Sequence, residues 1–158
     1  MDKTVQEFYG NRVRVRVCGL CWRNEDLLVI NHHGLYGHDF WAPPGGGVDF
    51  GESLADGLKR EFSEETGLAV EILEQRFVCE FIKAPLHAVE VFFDVAYLGG
   101  QILAGKDPEM EKAVQIIQSV KFISMAELEN LPDSHKHGIF RVAPSGRKLK
   151  ALAGYFRI

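Results

Sequence analysis

Three glutamates with helical spacing place the strongest constraint on this chain. Glu61, Glu64 and Glu65 are spaced i, i+3 and i+4, so in an α-helix their carboxylates lie within about one turn of each other. Three carboxylates this close repel one another unless a cation neutralises them. Because the same spacing also occurs on acidic helix faces in water, the surrounding residues decide between a metal site and a solvated face.

The segment around these glutamates predicts a helix with defined ends. Ser53, followed three residues later by Asp56, resembles a capping box at the N-terminus. Gly67 supplies the C-terminal stop, so the helix is predicted over residues 54–66. An apolar face beside the glutamates can anchor this helix on a sheet, through Leu54, Leu58 and Phe62.

Glycines and an arginine near the helix favour the metal site. Gly45, Gly46 and Gly47 predict a loop whose backbone approaches a ligand closely. Arg60 can orient a neighbouring carboxylate by bidentate hydrogen bonds. Mg²⁺ or Mn²⁺ is the natural partner of a hard, all-oxygen site. The formal net charge of −4 argues against nucleic acid as a partner and leaves a metal ion to bind a polyanionic substrate.

The remaining pattern predicts one α/β domain over residues 1–158, with a mixed sheet covered by helices on both faces. The strand and helix order is not that of a regular βαβ repeat. Strands are predicted at 12–22, 27–30, 69–83, 87–98, 101–103 and 118–123, and further helices at 125–130 and 145–155.

Neither a membrane span nor a disulfide framework is expected. No apolar run reaches the ~18 residues that span a membrane, and the N-terminus lacks the apolar core of a signal peptide, which predicts a cytoplasmic protein. The chain has three cysteines. Cys18 and Cys21 lie on a predicted strand with their side chains on opposite faces, which indicates packing residues instead of a redox pair or zinc site.

Residues Gly46 to Leu68 follow the pattern G-x5-E-x7-R-E-U-x-E-E-x-G-U, where U is a bulky apolar residue. This segment resembles the Nudix box, the signature of the MutT-like Nudix hydrolases. Phe62 is its mildest departure, being aromatic where an aliphatic residue is more common. The resemblance implies a Nudix-type α/β/α sandwich and a homodimer, and the strand and helix order around the box is consistent with that fold.

The resemblance also implies roles for particular residues. Glu61, Glu64 and Glu65 would bind one to three Mg²⁺ or Mn²⁺ ions, with the Gly46 carbonyl as a further ligand. Glu61 could instead act as general base, and the catalytic group would comprise Glu61, Glu64 and Arg60. Substrate would lie against Gly45, Gly46 and Gly47, while Glu52 and Gly67 would have structural roles in the motif.

Weaker candidates lie outside the box. A downstream carboxylate often completes the metal site in this family, and Glu111 is favoured over Glu109 and Glu90. Arg16 could meet a substrate phosphate and Tyr36 could stack on a base. His32, His33 and His38 could line a pocket, whereas His135 and His137 are interpreted as ordinary loop histidines.

Hydrolysis of the diphosphate linkage in a nucleoside diphosphate bound to another moiety is therefore the predicted activity. Pro85 slightly favours ADP-ribose or nucleotide sugars as substrates. Two alternatives stay open: a nucleoside triphosphate pyrophosphohydrolase, and a module that senses a nucleotide sugar without cleaving it. The intact set of box carboxylates argues against the sensing module.

Overall fold

The computed structural model describes residues 3–33, 37–103 and 119–158. The helices are α1 (Lys3–Tyr9), α2 (Leu54–Thr66), α3 (Met125–Asn130), α4 (Ile139–Val142) and α5 (Gly146–Ala151). The strands are β1 (Val13–Arg23), β2 (Asp26–Asn31), β3 (Trp41–Ala42), β4 (Gly45–Gly47), β5 (Leu68–Lys83), β6 (Leu86–Gly100), β7 (Ser119–Ser124) and β8 (Gly154–Arg157).

Within the described residues, the strands form a mixed eight-stranded sheet organised around β1. Its main order is β3-β2-β1-β6-β5-β8, while β4 pairs with β1 and β7 pairs with β2. β1 runs parallel to β6 and antiparallel to β4, so one strand connects the glycine segment to the centre of the sheet. No helix within the described ranges is long and apolar enough to cross a membrane.

Helices cover both faces of the sheet, as predicted. On one face α2 buries Leu58 and Phe62 against residues that include Val17 and Val95. On the other face, residues of α3, α4 and α5 share a core with Phe77 and other sheet residues. Cys18 belongs to this second core and Cys21 to the first, so the two cysteines lie on opposite faces of β1 and are buried, unpaired packing residues. The α/β sandwich expected from the sequence is confirmed.

Two predicted elements are wrong. Residues 101–103 form no strand, because the β5–β6 pairing ends at Gly100. The helix predicted over 145–155 ends at Ala151, and residues 154–157 form β8 instead, parallel to β5. Because the partner of β8 lies far away in the sequence, no local pattern indicates this pairing.

Candidate active site

Helix α2 presents its glutamates to the glycine strand β4. The Ser53 side chain accepts a hydrogen bond from the Asp56 amide and starts the helix. Gly67 ends it in the left-handed conformation at φ 73°, and its amide donates to the Ser63 carbonyl. Since Phe62 is fully buried on the sheet, the orientation of the helix about its axis is fixed.

Arg60 connects the glycine segment to the acidic face of α2. Its Nε and Nη2 donate to Glu52 Oε1 and Oε2 at 2.9 and 3.0 Å, a bidentate pair. Nη2 also donates to the Gly47 carbonyl at 2.9 Å. Nη1 donates to Glu61 Oε1 at 2.9 Å and to Glu64 Oε2 at 3.1 Å. One guanidinium therefore holds three carboxylates and the backbone of β4.

Glu52 ties the loop before α2 to the helix. In addition to its pair with Arg60, its Oε2 accepts a hydrogen bond from the Asp49 amide at 3.1 Å. These donors, with Arg60 as the largest contribution, lower the pKa of Glu52. Glu52 is therefore held as a charged acceptor that fixes the loop beside Arg60.

Glu61 packs directly against Gly46. A Cβ atom on Gly46 would overlap the carboxyl carbon and both oxygens of Glu61, so only glycine allows this approach. Burial raises the pKa of Glu61, and Arg60 opposes this by favouring the ionised form. A buried carboxylate whose charge is incompletely compensated is a suitable ligand for a cation.

Glu65 lies on the same side of the helix but turns to the backbone. Its Oε2 accepts a hydrogen bond from the Gly45 amide at 2.9 Å, and the residue is 7% exposed. Glu61 and Glu65 thus contact consecutive glycines of β4, while Arg60 holds Glu64 beside Glu61.

The donor set suits a hard divalent cation. Within the described ranges no three histidine, cysteine or acidic side chains already converge as a metal cluster. The hydrogen bonds to Arg60 use Glu61 Oε1 and Glu64 Oε2, which leaves Glu61 Oε2 and Glu64 Oε1 outside them. These two oxygens, with the Gly46 carbonyl, fit the carboxylate and carbonyl chemistry that Mg²⁺ prefers. The residues present therefore fit the expected ion.

A second polar cluster lies on the other face of β1. Arg16 Nε donates to Glu90 Oε1 at 3.0 Å, and His137 Nε2 lies 2.7 Å from Glu90 Oε2. Arg16 Nη2 also reaches the Gly45 carbonyl at 3.5 Å. Burial opposes ionisation of Glu90, but His137 and Arg16 outweigh it and lower its pKa to about 2. Glu90 is thus an ion-pair partner of Arg16.

The interpretation of His137 as an ordinary loop histidine is wrong. His137 is 9% exposed, and its Nδ1 accepts a hydrogen bond from the Ile139 amide at 3.2 Å. The H-x-H pattern describes only the local sequence and contains no sign of Glu90, which lies 47 residues away.

Other histidines lie near this cluster or the neighbouring loops. Burial, with Arg16 and His137 nearby, lowers the pKa of His32 to about 3. His38 stacks on His135 with ring centroids 4.5 Å apart, and His33 contacts Asp39 at 2.9 Å.

Several candidates cannot be placed beside the box. Tyr36, Glu109 and Glu111 lie outside the described residues. Pro85 lies in the β5–β6 turn, where its carbonyl accepts a hydrogen bond from the Asn11 amide at 2.8 Å.

Comparisons with known proteins agree with this architecture. The family model described as NUDIX domain matches residues 10–144. Nudix hydrolase 10 of Arabidopsis thaliana is 26% identical over 120 residues, covering 72% of this chain and 41% of the relative. ADP-ribose pyrophosphatase of Methanocaldococcus jannaschii is 28% identical over 98 residues, covering 59% of this chain and 56% of the relative. The chain thus spans about half the length of these curated relatives.

A solved structure shares the fold. The MutT Nudix hydrolase of Burkholderia pseudomallei superposes with a TM-score of 0.68 at 21% identity, covering 88% of this chain and 97% of that chain. At this identity the likeness concerns the arrangement of strands and helices.

Proposed function

Since its residues 10–144 match the NUDIX domain model, the chain belongs to the NUDIX family, and we propose that it is a metal-dependent pyrophosphohydrolase. Its substrate is a nucleoside diphosphate linked to another moiety. The observation that carries the proposal is the arrangement around Arg60, which holds Glu52, Glu61 and Glu64 against the glycine strand.

The proposed reaction is hydrolysis of a phosphoanhydride. Water adds to one phosphorus and the bridging P–O bond breaks, which gives two phosphate monoester dianions and releases two protons. Mg²⁺ or Mn²⁺ would be held by Glu61, Glu64, Glu65 and the Gly46 carbonyl. The bound ion would neutralise phosphate oxygens and lower the pKa of a bound water molecule. Arg60 keeps Glu61 and Glu64 in place, and Glu52 fixes Arg60.

In place of metal binding, Glu61 is a candidate for the general base. Because burial raises its pKa, its carboxylate accepts a proton more readily than an exposed glutamate does. Its position against Gly46 places that carboxylate beside the glycine segment, where Gly45, Gly46 and Gly47 would receive the diphosphate.

ADP-ribose or a nucleotide sugar is the proposed substrate class. The support is the relative from Methanocaldococcus jannaschii, which is named ADP-ribose pyrophosphatase. A nucleoside triphosphate is the alternative, and the two differ in products: cleavage of ADP-ribose releases AMP, whereas a triphosphate yields a monophosphate and pyrophosphate.

A substrate panel with Mg²⁺ tests the proposal directly. Purified protein is incubated with ADP-ribose, several nucleotide sugars and the common nucleoside triphosphates, and the products are separated by chromatography. We expect AMP from ADP-ribose and no turnover once a chelator removes the metal. Cleavage of triphosphates alone would contradict the substrate class, and no cleavage of any compound would contradict the enzymatic function.

Location and assembly remain predictions from the sequence and the resemblance. We predict a cytoplasmic homodimer that binds neither nucleic acid nor membranes. Sedimentation velocity of the purified chain would measure its oligomeric state.

A further inference from the structure

The cluster of Arg16, Glu90 and His137 joins three distant parts of the chain. Arg16 and Glu90 are register partners in the parallel pairing of β1 with β6, and His137 follows the short turn after α3. Glu90 is 6% exposed and His137 is 9% exposed, so a carboxylate has been withdrawn from water to hold an arginine. None of the three belongs to the box.

The stability of the fold does not by itself explain why this ion pair is buried. Burying an ion pair costs desolvation free energy that its attraction roughly offsets, and apolar residues of similar volume are often as stable. A buried pair that also has a fixed hydrogen-bond geometry can instead specify where a charge lies. Here the charge whose position is specified is the Arg16 guanidinium.

The hydrogen bonds of the cluster define the direction of Arg16. The Ile139 amide donates to His137 Nδ1, so the ring proton resides on Nε2 and is donated to Glu90 Oε2. Glu90 then uses Oε1 to accept from Arg16 Nε at 3.0 Å. With Nε held by Glu90, Nη2 of Arg16 lies next to the Gly45 carbonyl.

This end of Arg16 is available to a stronger acceptor. The contact of Nη2 with the Gly45 carbonyl is 3.5 Å long, at the limit of a hydrogen bond. Within residues 3–33, 37–103 and 119–158, Nη1 makes no hydrogen bond or ion pair. Glu61 and Glu65 both favour the charged form of Arg16, so the guanidinium lies within the field of the box carboxylates.

We infer that Glu90 and His137 are positioning residues that hold the Arg16 guanidinium at the Gly45 edge of β4, where it binds a phosphate oxygen of the substrate. This inference rests on the proposed function. Arg60 is fully engaged with carboxylates and β4, so Arg16 supplies a positive charge on the side of β4 away from α2. An anionic oxygen would replace the long carbonyl contact with a charge-assisted hydrogen bond.

The test measures binding of α,β-methylene-ADP, a non-hydrolysable nucleoside diphosphate, by calorimetry with Mg²⁺ present. Arg16→Met and Glu90→Gln should each weaken binding about tenfold, the usual size of one lost charge-assisted hydrogen bond. The double variant should bind no more weakly than Arg16→Met, because Glu90 acts through Arg16. Arg12→Met, an exposed arginine preceding the same strand, is the matched control and should bind like the wild type.

His137 provides a second pair of variants. His137→Gln keeps an N–H donor for Glu90 and should retain binding, whereas His137→Phe removes the donor and should lose about as much as Glu90→Gln. A merely structural role would lower the melting temperature of both variants without this difference in affinity. Melting temperatures of all variants identify any that fail to fold.

The outcomes separate the two proposals. Wild-type protein that binds no analogue would overturn the proposed function and this inference with it. Wild-type binding that is unchanged in Arg16→Met would overturn only the inference, as would additive losses in the Arg16–Glu90 double variant. The same pattern should appear in steady-state kinetics as a raised KM with kcat changed much less.

Discussion

At Gly46 a single hydrogen atom decides where the Glu61 carboxylate can lie. The residue does not have a positive φ, so its requirement for glycine is steric and not conformational. Glu61, Glu64, Glu65 and Arg60 could be predicted because their spacing on one helix fixes their proximity. The contact of Glu61 with Gly46 depends on how α2 sits on β4, which spacing does not determine.

We predict that Gly46→Ala reduces kcat by about 100-fold, because a displacement of about 1 Å in a catalytic carboxylate is enough for such a loss. The added methyl group would overlap Glu61 and move it away from β4. Steady-state kinetics on the best substrate of the panel measures the effect. Gly99→Ala is the control, since nothing lies within 4 Å of a Cβ at Gly99. Equal activity of both variants would contradict the steric argument.

The charge of Glu64 is the subject of a second prediction. Glu64→Gln keeps the size of the side chain but removes the charge that Arg60 binds and that a divalent ion would need. We predict a fall in kcat of at least about 100-fold and weaker binding of Mn²⁺. Electron paramagnetic resonance measures the free Mn²⁺ during a titration. Glu129→Gln, an exposed glutamate on α3, should behave like the wild type, and retained Mn²⁺ affinity in Glu64→Gln would argue against a metal role.

Arg16 and Glu90 were candidates from the sequence, but their ion pair and the contact of Glu90 with His137 were not predicted. Arg16 and Glu90 are 74 residues apart, and no periodic pattern connects them. Arginine, glutamate and histidine are common at surfaces, so their burial becomes evident only when β1, β6 and the segment after α3 are assembled.

Among the elements, α2 was predicted with its correct limits because both of its ends carry local signals. Ser53 and Gly67 each act on backbone groups within one turn, and such short-range chemistry can be recognised in the sequence. β8 behaves in the opposite way. It exists because it pairs with Phe77 to Glu80 of β5, and a segment of four residues has no periodicity of its own.

We predict that Gly67→Ala destabilises the protein more than Gly154→Ala does. Both glycines have positive φ, 73° and 90°, so alanine at either position costs about 1 kcal/mol in backbone strain. At Gly67 the added Cβ would also lie 2.7 Å from the Gln101 carbonyl, whereas nothing lies within 4 Å at Gly154. Urea unfolding followed by circular dichroism would measure the difference. Equal destabilisation would mean that the crowding at Gly67 is relieved by movement of Gln101.

For the molecule as a whole, the lowered pKa values of His32 and Glu90 predict a loss of stability in acid. Between pH 6.5 and about 3 the unfolded chain binds a proton at His32 that the folded chain does not. Lowering the pH through this window therefore reduces the free energy of unfolding. Glu90 acts in the same direction at lower pH: its contribution is complete above pH 4.5 and is lost as the pH falls toward about 2.

Replacement of His32 separates these two contributions. When the pH is lowered from neutral to about 5, the free energy of unfolding of the wild type should decrease. We predict that this decrease is about 1–2 kcal/mol smaller in His32→Gln. Glu90 has little effect in this pH range. Urea titrations at the two pH values measure the difference. His33→Gln, a neighbouring histidine with a 40% exposed side chain, is the control and should keep the acid sensitivity of the wild type. Identical acid sensitivity of His32→Gln and the wild type would contradict the assignment.

Gly45 connects the contacts on the two sides of β4. Its amide is held by Glu65 from one side and its carbonyl is approached by Arg16 from the other, while pairing with Cys18 pins the residue to β1. Because the amide and the carbonyl belong to the same residue, a displacement of Gly45 would change both contacts at once. Capture of an anion by Arg16 and of a cation near Glu65 should therefore be thermodynamically linked, so that each ligand tightens or loosens the other by the same factor.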